Sequence, residues 1–235
     1  MSKRYVSLGV FNLDASNRIK PELNDTEKFY EAIKTTVQHT FEYPTVLTFT
    51  EIVNEDWIHF HFEQKTAYWG RSLKVGATKI YTAWNRSLHE CEDIVRCQEG
   101  RYVAFLLKNR LTEERFWHVS IHGHKKKTDM RRDAMIDLVR FCEEQEELVI
   151  VAGDFNEVPE RLRDYLPPGY QLGITPDARQ NTTIRGSSVD NSFCTREGDY
   201  VERRIDTDND NFSHYPIKFT VAYPSLPETS SSLEL

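Results

Sequence analysis

The chain has 235 residues, a formal net charge of −7 and 39% hydrophobic residues, with a pI of about 5.7. That length allows one large domain with a real core, and the acidic balance argues against a protein that coats duplex nucleic acid by bulk charge. If phosphates are handled, a local basic patch or a bound cation must do it. No apolar run approaches the roughly 20 residues needed to span a bilayer, and the N-terminus runs into a strand-like pattern without a signal-type apolar segment. A soluble, cytoplasmic or otherwise intracellular monomer is expected, with secretion left open. Cys91, Cys97, Cys142 and Cys194 lack C-x-x-C spacing, so neither a zinc ribbon nor a dithiol redox pair is indicated.

Residues 5–12 alternate around Val6, Leu8 and Val10, predicting a first strand that ends on Asn12 and, two residues on, Asp14. A helix is predicted over 26–40, with Phe29, Ile33 and Val37 on one face. The next strand, 46–51, ends on Glu51. From 57 to 84 the chain is aromatic and β-prone, read as short strands with turns around Gly70 and Gly76. His59 and His61 have the H-x-H spacing of some metal sites, but alternation on an exposed strand face explains it better. Gln98, Glu99, Gly100 and Arg101 precede a strand over 102–107, and residues 115–122 form another, ending on His122. Lys125, Lys126 and Lys127 read as a solvated turn. A helix capped by Thr128 carries Met135, Leu138, Val139 and Cys142 on one face.

Residues 148–151 are four consecutive apolar residues, three of them apart from Leu148 β-branched, and predict a strand buried on both faces. It breaks at Gly153, and Asp154 and Asn156 follow with i, i+2 spacing, which would project them to the same side. Pro159, Pro167, Pro168 and Pro176 mark loops, as does 181–186. A strand over 188–193 contains Asp190, and the last strand runs from 217 to 223. Asp206, Asp208 and Asp210 imitate the start of a calcium loop, but Asn211 and Ile217 stand where that loop needs Gly and Glu. Residues 226–235 read as a disordered tail of the kind a cloning remnant leaves, and 1–225 as a single domain.

Asn12, Glu51, His122, Asp154 and Asn156 all fall at or just past predicted strand ends, and His214 falls just before one. Packed strands would gather these ends into one cleft holding carboxylates and amides for a hard cation and histidines for proton transfer. Taken with Phe11-Asn12-Leu13-Asp14, Thr50-Glu51, Glu99-Gly100-Arg101, Ile121-His122, Gly153-Asp154-Phe155-Asn156, Val189-Asp190 and Ser213-His214-Tyr215-Pro216-Ile217, the chain resembles the endonuclease/exonuclease/phosphatase superfamily, which includes pancreatic deoxyribonuclease and the apurinic endonucleases. The motifs occur in the family's order and span nearly the whole chain.

The resemblance implies a four-layer α/β sandwich, two mixed sheets face to face with helices outside, and a Mg²⁺-dependent phosphate-ester hydrolase, with Mn²⁺ as substitute. It implies Glu51, Asn12 and Asp14 as metal ligands, Asp154 as the group activating water, and Asn156 holding the water or a phosphate oxygen. It further implies His214, oriented by Asp190, stabilising the transition state, with His122 and Arg101 contacting the phosphate. A nuclease or phosphodiesterase acting on DNA or RNA is the leading expectation. Lys125 to Lys127, Arg131, Arg132, Arg179, Arg185, Arg203 and Arg204 are available as a cationic rim, and Trp69, Tyr81 and Trp84 for stacking, although core packing suits at least two of those rings. A phosphomonoesterase on a nucleotide, inositol phosphate or lipid head group is the alternative. The family normally places an Asp where this chain has Ser213, which weakens the metal expectation and leaves a non-catalytic scaffold as a third reading. A zinc hydrolase built on His59/His61 or His122/His124 lacks a third ligand at suitable spacing.

Overall fold

The computed structural model describes residues 3–13, 26–52, 67–75, 78–97, 99–125, 128–178, 180–183, 185–195, 198–208 and 213–224. In chain order these form β1 (Lys3–Asn12), α1 (Thr26–Thr35) running on into a π turn (Thr36–Thr40), β2 (Val46–Ile52), β3 (Tyr68–Val75), β4 (Thr78–Asn85), β5 (His89–Cys97), β6 (Tyr102–Asn109) and β7 (Arg115–His122). There follow α2 (Thr128–Glu143), β8 (Leu148–Asp154), α3 (Pro159–Tyr165), β9 (Gln171–Leu172), β10 (Asp190–Cys194), β11 (Asp199–Ile205) and β12 (Ile217–Pro224).

Two six-stranded sheets result, in the orders β11-β12-β1-β2-β4-β3 and β5-β6-β7-β8-β10-β9. The two centre strands of each are parallel, β1 with β2 and β7 with β8, and their remaining neighbours pair antiparallel. Both parallel pairs are joined through a helix, and a hydrogen bond between Asn12 and Asp154 brings their carboxyl ends together at one edge of the sandwich.

Strand alternation explains the layers. Val6, Leu8 and Val10 of β1, Val46 of β2, Phe116 of β7 and Leu148, Ile150 and Ala152 of β8 meet in the core between the sheets. The opposite faces turn outward. Phe11, Leu47, Phe49 and Tyr81 pack with Ile33 and Val37 on one side, while Trp117, Val119, Val149 and Val151 meet Met135, Leu138 and Cys142 of α2 on the other. All seven residues of β8 are buried, as expected for a strand covered on both faces. The expected sandwich of two mixed sheets with outer helices is the observed one.

Several local expectations need correction. Gly70 is no turn: it lies inside β3, where an added Cβ would sit 2.4 Å from the Thr82 carbonyl oxygen. β5, β11 and α3 went unpredicted because β5 and β11 are charged strands at sheet edges, and α3 is a seven-residue helix that buries only Pro159 and Leu162. Short or edge elements carry little hydrophobic periodicity. Trp84 and Tyr81 are fully buried core rings, whereas Trp69 is partly exposed and lies under Arg71, 5.0 Å from its guanidinium. Asp14, His59, His61, Lys126, Lys127, Arg179, Asp210 and the tail 226–235 lie outside the described residues.

Candidate active site

The site assembles around Asp154, the last residue of β8. Parallel pairing sets His122 opposite Asp154 on one side, and antiparallel pairing sets Asp190 opposite it on the other. From the facing sheet, Asn12 at the end of β1 donates from Nδ2 to Asp154 Oδ2 at 2.9 Å. Glu51 arrives from β2 through an irregularity in the β2–β4 pairing and a left-handed backbone, φ 55°. Such a bulge re-aims a side chain at a sheet's end. Ligand atoms of Glu51, His122 and Asp154 lie within 4.8 Å of one another, as do those of Asp154, Asp190 and His214.

Asn156 reaches the site differently from its expected i, i+2 strand projection. β8 stops at Asp154, and Asn156 turns back at φ 52° so that its backbone N–H donates to Asp154 Oδ1 at 2.7 Å. Its side-chain amide donates to the Gly123 carbonyl at 3.2 Å. An Asx-type turn, not strand alternation, brings the two together. The turn is pinned by Arg131, which donates to the Asn156 carbonyl and, at 3.0 Å, to Glu157. Arg131 is therefore committed to the site's own architecture instead of the cationic rim where it was expected.

His122 is buried between two carboxylates, its Nε2 3.3 Å from Glu51 and 3.9 Å from Asp154. Arg101, also left-handed at φ 54°, approaches the other ring nitrogen at 3.2 Å. A guanidinium can only donate, so Nδ1 accepts and Nε2 carries the proton toward Glu51. That hydrogen bond, with the nearby charges of Lys125 and His214, outweighs burial and holds Glu51 down at about 2. His124 turns away, its Nε2 donating to the Glu99 carbonyl at 3.3 Å, so His122 and His124 do not form a zinc pair.

At the other end, His214 Nδ1 donates to Asp190 Oδ2 at 2.6 Å. Burial opposes its protonation, but the carboxylates of Asp190, Asp154 and Glu51 prevail and lift it to about 9. Asp154 moves the other way for a carboxylate: burial and then the Asp190 charge raise it to about 6. One group is thus held protonated at neutral pH beside another poised to exchange a proton near it.

The structure therefore gathers Asn12, Glu51, Arg101, His122, Asp154, Asn156, Asp190 and His214. Asp14 lies outside the described residues, and Ser213 is half-buried next to His214. Two supporting residues escaped the sequence reading. Thr182 donates from Oγ1 to Asp190 Oδ2 at 3.0 Å and accepts the Asp190 N–H, while its carbonyl holds the Tyr215 N–H. Gly123 lets the Asp154 strand pass close and supplies the Asn156 contact. A threonine in a polar loop and a glycine after a strand give no signal in sequence, because both act only across elements.

Neither a protein-family model nor a curated protein matches the sequence. Solved structures do match in shape. The endonuclease/exonuclease/phosphatase from Bacteroides vulgatus aligns with a TM-score of 0.74 at 12% identity, over 94% of this chain and 100% of that one. D. rerio TDP2 complexed with single strand DNA product gives 0.69 at 12% identity, over 92% and 98%. The mannosyl-6-phosphatase from Bacteroides thetaiotaomicron gives 0.70 at 11%, over 92% and 99%. The strand order, the paired βαβ units and these alignments agree: the chain has the endonuclease/exonuclease/phosphatase fold.

Proposed function

We propose that the chain is a divalent-metal-dependent hydrolase of phosphate esters. The observation that carries this reading is the convergence of Glu51, His122, Asp190 and His214 on the buried carboxylate of Asp154, from positions spread between residues 51 and 214.

The donor set suits Mg²⁺ or Mn²⁺. Glu51, Asp154 and Asp190 offer carboxylate oxygens and Asn12 an amide oxygen, all hard ligands. Asp190 Oδ1 is buried with no hydrogen-bond partner among the described residues, a costly state for an anionic oxygen unless a positive group takes it. Glu51 and Asn12 would hold the ion, with Asp14 from the adjoining segment. Bound there, the ion would polarise a phosphoryl oxygen and offset charge on the ester.

The protein's own groups divide the remaining work. Asp154 accepts a proton from the attacking water, oriented by Asn12 and by the Asn156 N–H. His214, held protonated by Asp190, donates to a non-bridging phosphate oxygen as negative charge builds. Arg101 presents its remaining N–H groups from the opposite side, beside His122, whose own N–H orients Glu51, and the Asn156 amide fixes water or phosphate.

For substrate, one reading is a phosphodiester of nucleic acid, supported by the likeness to TDP2, solved with single strand DNA product. A second reading, a small phosphomonoester, is supported by Arg131 being spent on Glu157 and by the likeness to a mannosyl-6-phosphatase. Mn²⁺-loaded protein is expected to hydrolyse an oligonucleotide or a small phosphomonoester, to stop with chelator, and to lose about 10²–10³ of its rate in Asp154→Asn. Unchanged turnover in that variant, or no Mn²⁺ binding by calorimetry, overturns the reading; the latter result points to a scaffold.

A further inference from the structure

Beside Arg101 the structure opens a cavity of about 990 Å³, whose lining includes Lys74, Glu99 and one face of α2. Arg101 is shared between this cavity and the site, since it also contacts His122. Any group attached to a phosphate lying against Arg101 on that side has this space to enter, and its size is ample for a sugar-sized or larger moiety.

The lining specifies chemistry. Met130, Asp133, Ala134 and Asp137 follow i, i+3, i+4, i+7 spacing, so one face of α2 forms a wall with an apolar pair beside a pair of carboxylates. Glu99 adds a third carboxylate from the β5–β6 turn. Among the described residues Lys74 is the one formal cation on the lining besides Arg101, so there, beyond the phosphate contact, carboxylates outnumber cations three to one. Asp133 is largely exposed and lies 3.7 Å from Arg132, while Asp137 is half-exposed, lies 3.8 Å from Arg140 and accepts the Cys97 S–H at 3.1 Å. These carboxylates accept hydrogen bonds and repel a second phosphate.

Resting on the phosphate-ester reading above, we infer that this cavity is the subsite for the alcohol portion of the substrate, and that it takes a non-anionic group rich in hydrogen-bond donors. A sugar or amino sugar has this character: C–H faces for Met130 and Ala134, hydroxyl or ammonium groups for Glu99, Asp133 and Asp137. A polynucleotide threaded through the cavity would bring its next phosphate against the same carboxylates. The inference therefore places small polyol phosphates ahead of nucleic acid on this side of the site.

The test compares kcat/KM of Mn²⁺-loaded protein for a hexose 6-phosphate, a hexosamine 6-phosphate, a hexose 1,6-bisphosphate and a single-stranded oligonucleotide. Wild type is expected to favour the two monophosphates over the bisphosphate and the oligonucleotide by about tenfold or more, a modest like-charge penalty. Asp133→Asn combined with Asp137→Asn should narrow the monophosphate-to-bisphosphate ratio several-fold. A higher rate for the hexosamine would identify an ammonium as the preferred donor, and equal rates would identify hydroxyls; both support the subsite. Met130→Trp, on the exposed wall, should raise KM for the sugar phosphates more than it lowers kcat. Turnover with an unmoved ratio in the double variant, or an oligonucleotide as the best substrate, overturns the subsite while leaving the hydrolase reading intact. No turnover of any ester overturns both.

Discussion

Three residues of the site, Glu51, Arg101 and Asn156, hold left-handed backbones with φ between 52° and 55°. For residues with a Cβ this conformation is uncommon and costs on the order of 1–3 kcal/mol where the surroundings enforce it. Glycine would relieve the strain but would remove a carboxylate, a guanidinium or an amide, so the side chain is what the strain secures. The charges are equally interlocked. Asp190 raises both His214 and Asp154. Activity should therefore rise as Asp154 ionises near pH 6 and fall as His214 loses its proton near pH 9. In Asp190→Asn both limbs should move to lower pH, since each group loses the carboxylate that lifted it, and kcat should drop about 10²-fold. The kcat/KM–pH profile checks this; an unmoved alkaline limb would separate Asp190 from His214.

At the scale of elements, the site depends on β8 ending beside β7 in one register. Gly153 makes that possible: its φ is +146°, and an added Cβ would lie 2.1 Å from the Ile121 carbonyl oxygen. No side-chain adjustment relieves a backbone clash, so Gly153→Ala should destabilise the fold by about 3 kcal/mol, read as a lowered midpoint in urea with unchanged slope. Its catalytic loss should exceed its stability loss, because His122 and Asp154 are paired across the same step. The turn after Asp154 is a separate device, tied by Arg131 to Glu157 and the Asn156 carbonyl. The sheets are also joined by polar contacts: Thr48 and Thr82 meet Ser120 at 2.9 Å and 2.7 Å, and Thr48 meets His118 at 2.8 Å. Complete burial holds His118 neutral, down at about 3, so this link adds no charge beneath the site.

For the whole molecule, the four layers act as a vice around a cluster of like charges. Asp154 has its folded pKa raised from 3.8 to about 6. Its ionisation therefore costs stability, from nothing below 3.8 to the full amount above 6. His214 works in reverse: with its pKa raised to about 9, its stabilisation is complete below 6.5 and is lost as pH rises through 9. A cation among the carboxylates would offset the first effect. Mn²⁺ at 100 times its dissociation constant should stabilise the protein by about 2.7 kcal/mol at neutral pH, seen as a raised Tm that chelator reverses. Introducing a carboxylate with Ser213→Asp should tighten Mn²⁺ binding in calorimetry and enlarge that shift. No gain in affinity would place residue 213 away from the ion.

Much of this was legible in the chain itself. The run at 148–151 reads as a doubly covered strand, and the polar residues at 12, 51, 122 and 154 stood at predicted strand ends, because hydrophobic patterning is a local property that burial imposes directly on sequence. Edge strands β5 and β11 bury too little to leave that mark, and α3 is too short. Tertiary structure alone decided the rest: that Asn156 returns by a turn, that Arg131 serves the protein instead of a ligand, that Thr182 holds Asp190, and that α2 walls a cavity beside Arg101. Each of these depends on which distant elements become neighbours. Hydrogen bonds and charge act through space over a few ångströms, and separation along the chain says nothing about that distance until the sheets have packed.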